Sequence, residues 1–159
     1  MTELRNPFIG INGYECFGCA PDNHAGLRMR FFEDGNEIVS QWDPQEHFQG
    51  YNQVLHGGIQ ATLMDELASW IVFVKLKTAG VTQSMEITYQ KPSYTNGGPI
   101  IVRGALESQE KRRAKIRCRL YQNDVASSEA LCVYALYPER MARERLHYPG
   151  IEAFYQEGV

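Results

Sequence analysis

The sequence predicts an α+β domain in which about six antiparallel strands form a sheet wrapped around one long central helix. Three observations lead there. Only one segment, residues 57–77, carries apolar residues every three or four positions over many turns. Six shorter segments, strand-like in composition and length, are separated by turn residues. Strands and helices do not alternate along the chain, which excludes a doubly wound parallel sheet. A sheet with one apolar face needs a cover, and a single helix must supply it.

A chain of 159 residues suits one domain with one core. Residues 1–25 hold Gly, Asn and Pro without a clear period and read as an extended arm. Leu27–Phe32 alternates as a strand. Asp34-Gly35-Asn36 is a hairpin turn, and Glu37–Trp42 is the return strand. Residues 43–55 form a polar loop carrying Pro44 and Gly50. In the helix, Ile59, Leu63, Leu67, Trp70 or Ile71, and Val74 make the principal stripe. Ala61, Met64, Ala68 and Val72 make other faces apolar too, so the helix is expected to be buried. Lys75 and Lys77 suit the negative end of the helix dipole, and Gly80 reads as the stop. Thr82–Tyr89, Ile100–Gln109, Ala114–Gln122 and Ala126–Tyr137 are the remaining strands. In the third of these, Lys115, Arg117 and Arg119 alternate with Ile116, Cys118 and Leu120, as in a sheet with one wet face. The expected organisation is an arm over 1–25, a domain over 26–137, and a short helix with a loosely attached tail over 138–159.

Bulk properties narrow the function classes. Apolar residues make up 43% of the chain and the formal net charge is −3, which argues against nucleic acid as a partner. No apolar run reaches the roughly 18 residues of a membrane span. Met1–Pro7 lacks the apolar core of a signal peptide, so the expected compartment is the cytosol, with reduced cysteines. Cys16-Phe17-Gly18-Cys19 has half the spacing of a zinc site, but Cys118 and Cys132 do not supply the other half. The pair reads as a turn packed on the body, and neither metal nor cofactor is expected.

The chemistry concentrates in Leu55-His56-Gly57-Gly58 and the helix that follows. The first N–H groups of a helix lack intrahelical partners and sit at the positive end of its dipole. Gly57 and Gly58 leave room for a ligand to reach theirs, and an acyl oxygen turning negative is stabilised there. Asp65 follows eight residues after Gly57, about 12 Å along the axis. That spacing is expected to let carboxylate and oxyanion site flank one thioester lying along the helix. Asp65 shares a face with Gly58, Thr62 and Ser69, whereas Glu66 shares one with Ile59, Leu63 and Trp70. A carboxylate on an apolar face is costly unless paired. Asp65 is therefore read as the acid, and Glu66 as a partner for a basic side chain at a subunit contact. His56 either orients the loop or touches substrate. Lys111, Arg112 and Arg113 form a basic turn that either holds a phosphate or stands as a solvated hairpin tip.

The segment Glu46–Gly58, with Asp65 beyond it, resembles the acyl-CoA thioesterases of the hotdog fold. The nearest group is the phenylacetyl-CoA thioesterase-like (PaaI-like) branch of the 4-hydroxybenzoyl-CoA thioesterase superfamily. Gly80–Tyr89 with Pro92 is similar to that family's next strand, and Cys16–Asn23 with Gly26-Leu27 to an N-terminal extension in some members. The resemblance covers roughly residues 15–137. It implies hydrolysis of an acyl-CoA thioester without a cofactor. Gly57 would polarise the carbonyl, Asp65 would activate water or attack, His56 would fix the loop, and Thr82 would orient the water. Asn52, Gln53, Gly58, Gln83, Ser84, Arg112 and Arg113 are the expected substrate-binding positions. Gly50 departs from relatives that carry a polar side chain there, and Asn52 or Gln53 is the expected substitute. The resemblance further implies a homodimer or a dimer-of-dimers tetramer, in which the helix of one protomer meets the Thr82 strand of another. A hotdog hydratase or dehydratase and a non-catalytic acyl-CoA-binding protein are the competing readings.

Overall fold

The computed structural model describes residues 1–155. Seven strands form one antiparallel sheet in the order β1-β2-β3-β5-β6-β7-β4. They are β1 (Thr2–Glu3), β2 (Phe32–Asp34), β3 (Glu37–Trp42), β4 (Gly80–Tyr89), β5 (Ile100–Glu110), β6 (Arg113–Gln122) and β7 (Val125–Leu136). Helix α1 (Gly57–Lys75) packs against β3 to β7, and the short helix α2 (Glu139–Leu146) follows β7. This is the hotdog arrangement, with α1 as the filling. No helix among the described residues is long and apolar enough to cross a membrane.

The helix is buried for the reason its composition gives. Leu63, Met64, Leu67, Ala68, Ile71 and Val72 are fully buried against Ile116, Cys118 and Leu120 and their neighbours on the sheet's inner face. The outer face carries a charge lattice instead. Arg103 pairs with Asp34 and Glu37, while Arg117 and Arg119 share Glu129. Such exposed pairs add little stability each, and their main effect is to keep this face wet. The β2–β3 hairpin turns through Gly35 at φ +60°, the first central position of a two-residue loop.

The structure departs from the sequence reading in four places. Leu27, Met29 and Phe31 are buried and alternate with exposed Arg28 and Arg30, yet only Phe32–Asp34 joins the ladder. Leu27 N and Met29 N donate instead to the carbonyls of Phe17 and Gly18, so this stretch clamps the arm. The arm itself supplies β1, a two-residue strand too short to show a period. Helix α1 ends at Lys75, with Leu76 as cap and Lys77 left-handed at φ +55°, so the helix stops before Gly80 is reached. Lys75 binds Glu33 and the Gly35 carbonyl, tying the helix end to the β2–β3 hairpin.

The fourth departure concerns the tail. Phe154 and Tyr148 are buried, and Phe154 lies 5.6 Å from Phe73 and 5.5 Å from Trp70 between ring centroids. Trp70 stacks in turn on Phe31 at 4.2 Å. Residues up to 155 thus finish an aromatic cluster on the far side of α1, and the rest of the expected tail lies outside the described residues. Phe154→Ala should cost about 3–5 kcal/mol, the usual scale for emptying an aromatic core site. Urea titration should show the lower midpoint with an unchanged slope.

Candidate active site

The loop before α1 is held rigidly, which fixes where the helix begins. Leu55 N donates to the Ser93 carbonyl, His56 N to the Phe48 carbonyl, and Gly50 N to the Val54 carbonyl. Buried Gln60 reaches back from the first turn to the Leu55 carbonyl and accepts from Ser128 Oγ of β7. Tyr89 Oη donates to the Gly57 carbonyl at 2.7 Å, joining the helix start to the end of β4.

His56 is the N-cap. Its Nδ1 accepts from Gly58 N at 2.8 Å, which leaves Nε2 as the protonated nitrogen of the neutral ring. A Cβ on Gly58 would stand 3.0 Å from that Nδ1, so glycine lets the His56 ring sit this close without shifting. The N–H of Gly58, expected to face substrate, is therefore taken by His56. The N–H of Gly57 donates to no group among the described residues. No Asp or Glu occupies the first turn to compete for it. Gly57, His56, Gly50 and Tyr51 border a surface cavity of about 350 Å³.

Asp65 lies against the edge strand β4, near its other end. Thr82 Oγ1 donates to its Oδ1 at 2.8 Å. Tyr134 Oη lies 2.7 Å from the same oxygen and 2.8 Å from the Asp65 carbonyl. Thr82 and Tyr134 are directly paired across β4 and β7. Just after Thr82 the register slips, leaving Gln83 as a bulge residue. Bulges re-aim side chains at sheet edges, and Gln83 Oε1 here accepts from Arg113 Nε at 3.1 Å. The basic β5–β6 turn is thereby tied to the strand that holds Asp65. Burial drives the Tyr134 hydroxyl well above the usual phenol range, so it stays a donor.

Two expectations change. Asp65 and Thr82 touch within one chain, so they do not meet across a subunit boundary. Gly57 and Asp65, in contrast, cannot serve one carbonyl from the same chain. An oxyanion donor must lie within about 3 Å of the oxygen, and a base within hydrogen-bond reach of the attacking group. About 12 Å of helix exceeds that span. Each chain thus presents, among the described residues, an N–H without a partner at the helix start and, two turns on, a carboxylate held by two hydroxyl groups.

The other expected positions divide. Ser84 is exposed on β4 beside Gln83. Asn52 and Gln53 are exposed in the loop, where Gln53 N donates to Gln49 Oε1 and its carbonyl accepts from Thr95 N. Tyr134 was not singled out by the sequence; only its strand phase was visible there. Glu66 does not approach a basic side chain. It turns toward the arm, with Oε1 3.4 Å from Cys16 Sγ, and burial together with Cys16 pushes its carboxyl up to about 8. His56→Ala should remove the cap and cost about 1 kcal/mol, readable as a lower melting temperature with retained secondary structure.

The comparisons with known proteins agree with this architecture. The sequence model of the Thioesterase superfamily matches residues 52–128. No curated protein matches the chain. Among solved structures, a thioesterase superfamily protein superposes with a TM-score of 0.65 at 18% identity, over 72% of this chain and 57% of that one. A Streptococcus mutans protein bound to acetyl CoA gives 0.64 at 13% identity, over 70% of this chain and 90% of that one. A hypothetical thioesterase protein from Streptococcus pneumoniae, with coenzyme A, gives 0.64 at 17%, again over 70% and 90%. At these identities the likeness is one of fold.

Proposed function

We propose that this chain, whose residues 52–128 match the model of the Thioesterase superfamily, hydrolyses acyl-CoA thioesters in sites assembled by two copies of itself. One observation carries the reading. A carboxylate held by two hydroxyl donors and a free helix-start N–H lie on one rigid helix, too far apart to act together except on different copies. An antiparallel approach of two such helices, edge strand β4 beside edge strand β4, would set Gly57 of one copy opposite Asp65 of the other. It would also cover an edge that otherwise offers unpaired backbone groups. Val81 and Tyr89, exposed apolar residues on β4, suit such a contact.

In this reading the thioester carbonyl oxygen accepts from Gly57 N–H. Asp65 takes a proton from water as that water adds to the carbonyl carbon. The resulting oxyanion is stabilised by the helix start, and its collapse expels the coenzyme A thiolate. Thr82 and Tyr134 hold Oδ1, leaving Oδ2 toward the water. Both are positioning residues. No metal is required for these steps.

Coenzyme A as the leaving group is supported by its presence in the streptococcal structures and by the basic turn. Arg113 is tethered to Gln83, next to Thr82, so the turn stands beside the carboxylate half-site. Replacing Arg112 and Arg113 with Ala should raise KM for acyl-CoA about tenfold while leaving kcat, the pattern of lost uniform binding. A pantetheine thioester without the nucleotide phosphates should show no such change. If KM rises equally for both, the turn does not read phosphate.

The direct test is turnover of a panel of acyl-CoA thioesters, with the released thiol trapped by a chromogenic reagent. Asp65→Asn should lower the rate by about two orders of magnitude or more in a folded protein. Hydration of an enoyl thioester without thiol release would move the chain to the hydratase reading, and tight binding without turnover to a binding protein. Light scattering should find dimers or larger species. A fully active 18.1 kDa monomer would exclude the shared site.

A further inference from the structure

A second cluster of reactive groups lies on the other side of α1, outside the site above. Cys16 and Cys19 of the arm and Glu66 of the helix bring one ligand atom each to within 4.8 Å of one another. Residues 16–20 turn tightly, with Ala20 N donating to the Cys16 carbonyl. A Cβ on Gly18 would fall 2.4 Å from the Glu66 side chain, so the arm wraps the carboxyl as closely as backbone can. Among the described residues no lysine, arginine or histidine forms an ion pair with Glu66.

Two thiols and a carboxyl gathered at the foot of a cavity, with no cationic side chain, is an arrangement that a cation completes. We propose that Cys16, Cys19 and Glu66 bind a zinc ion that clamps the N-terminal arm onto helix α1. The geometry suits it. Zinc bonds of about 2.3 Å to sulfur and about 2.0 Å to oxygen place those atoms roughly 3.5 Å apart in a tetrahedron. The Cys16 sulfur and Glu66 oxygen are 3.4 Å apart. Cys19 Sγ lies within 4.8 Å of both, beside Tyr14 Oη at 2.9 Å, and is buried where thiolate coordination is shielded from water. The fourth position opens on a cavity of about 440 Å³ lined by Tyr14, Ser69, Phe73 and His147, with room for a water. Two thiolates favour zinc over magnesium or calcium. The sequence showed only half of this site, because the third ligand lies 47 residues past Cys19 and on a helix.

The full chain, reduced and stripped by a chelator, is titrated with Zn²⁺ or Co²⁺ alone. One Zn²⁺ per chain should bind, measured by competition with a chromophoric chelator. Co²⁺ should give intense tetrahedral bands and thiolate charge transfer. Cys16→Ser and Cys19→Ser should abolish the charge transfer, and Glu66→Gln should weaken binding at least tenfold. Cys132→Ser, at a buried site away from the cluster, should change nothing. Zn²⁺ should raise the melting temperature of the native chain but not of the serine variants. Absence of stoichiometric Zn²⁺ binding by the reduced chain overturns the proposal, as does a Glu66→Gln variant with native affinity. Should a serine variant fail to fold, the native Co²⁺ spectrum decides: bands of oxygen-only octahedral coordination would exclude the site.

Discussion

A rigid helix holds Gly57 and Asp65 about 12 Å apart, and everything functional in this fold follows from that separation. The helix cannot bend to bring them together, because Leu63, Leu67 and Ile71 lock its middle into the sheet without exposed surface. Nor can its start drift, since Gln60, Ser128 and Tyr89 pin the first turn to β7 and β4. The same burial that stabilises the domain therefore keeps the two groups of the proposed site apart. A second copy is the simplest way to reunite them, and the exposed edge β4 is the natural place for it.

The two carboxylates in sequence at the heart of α1 show how a helix separates roles. One residue apart, they point about 100° apart around the axis. Asp65 reaches the open edge and meets two hydroxyl groups, which hold its carboxylate in one orientation. Glu66 turns under the arm to the cysteines, where burial favours its neutral form unless a cation joins it. The helix faces already set them apart in the sequence, and their surroundings make them chemically unlike.

The parts of the molecule that were legible in the sequence are those set by local pattern. The apolar spacing from Ile59 to Val74 gave the buried helix, and Asp34-Gly35-Asn36 marked a hairpin that the backbone realises with Gly35 at positive φ. His56, Gly57 and Asp65 could be singled out because helix starts and carboxylates have their own chemistry. What stayed hidden depends on long-range register. Tyr134 meets Asp65 only because β7 runs beside β4 in one particular pairing. Cys16 meets Glu66 only because Leu27 and Met29 fasten the arm across the helix instead of extending the sheet. The grip of Phe154 on the aromatic cluster was invisible for the same reason, since a lone Phe after a Pro-Gly pair carries no period.

The shared site is tested most directly by mixing two inactive chains. Gly57→Pro removes only the N–H in question: proline suits the first helical position, and His56, at φ −58° and ψ 133°, already has the backbone that precedes a proline. Asp65→Asn removes the base. In a mixed dimer of these variants, sites built from two copies leave one site with both native groups and the other with neither. Thiol release from acyl-CoA should then return on subunit exchange, toward half the native rate per mixed dimer. If both variants are folded and inactive, exchange is verified by mass, and no activity returns, each site belongs to a single chain and the two-copy geometry is wrong.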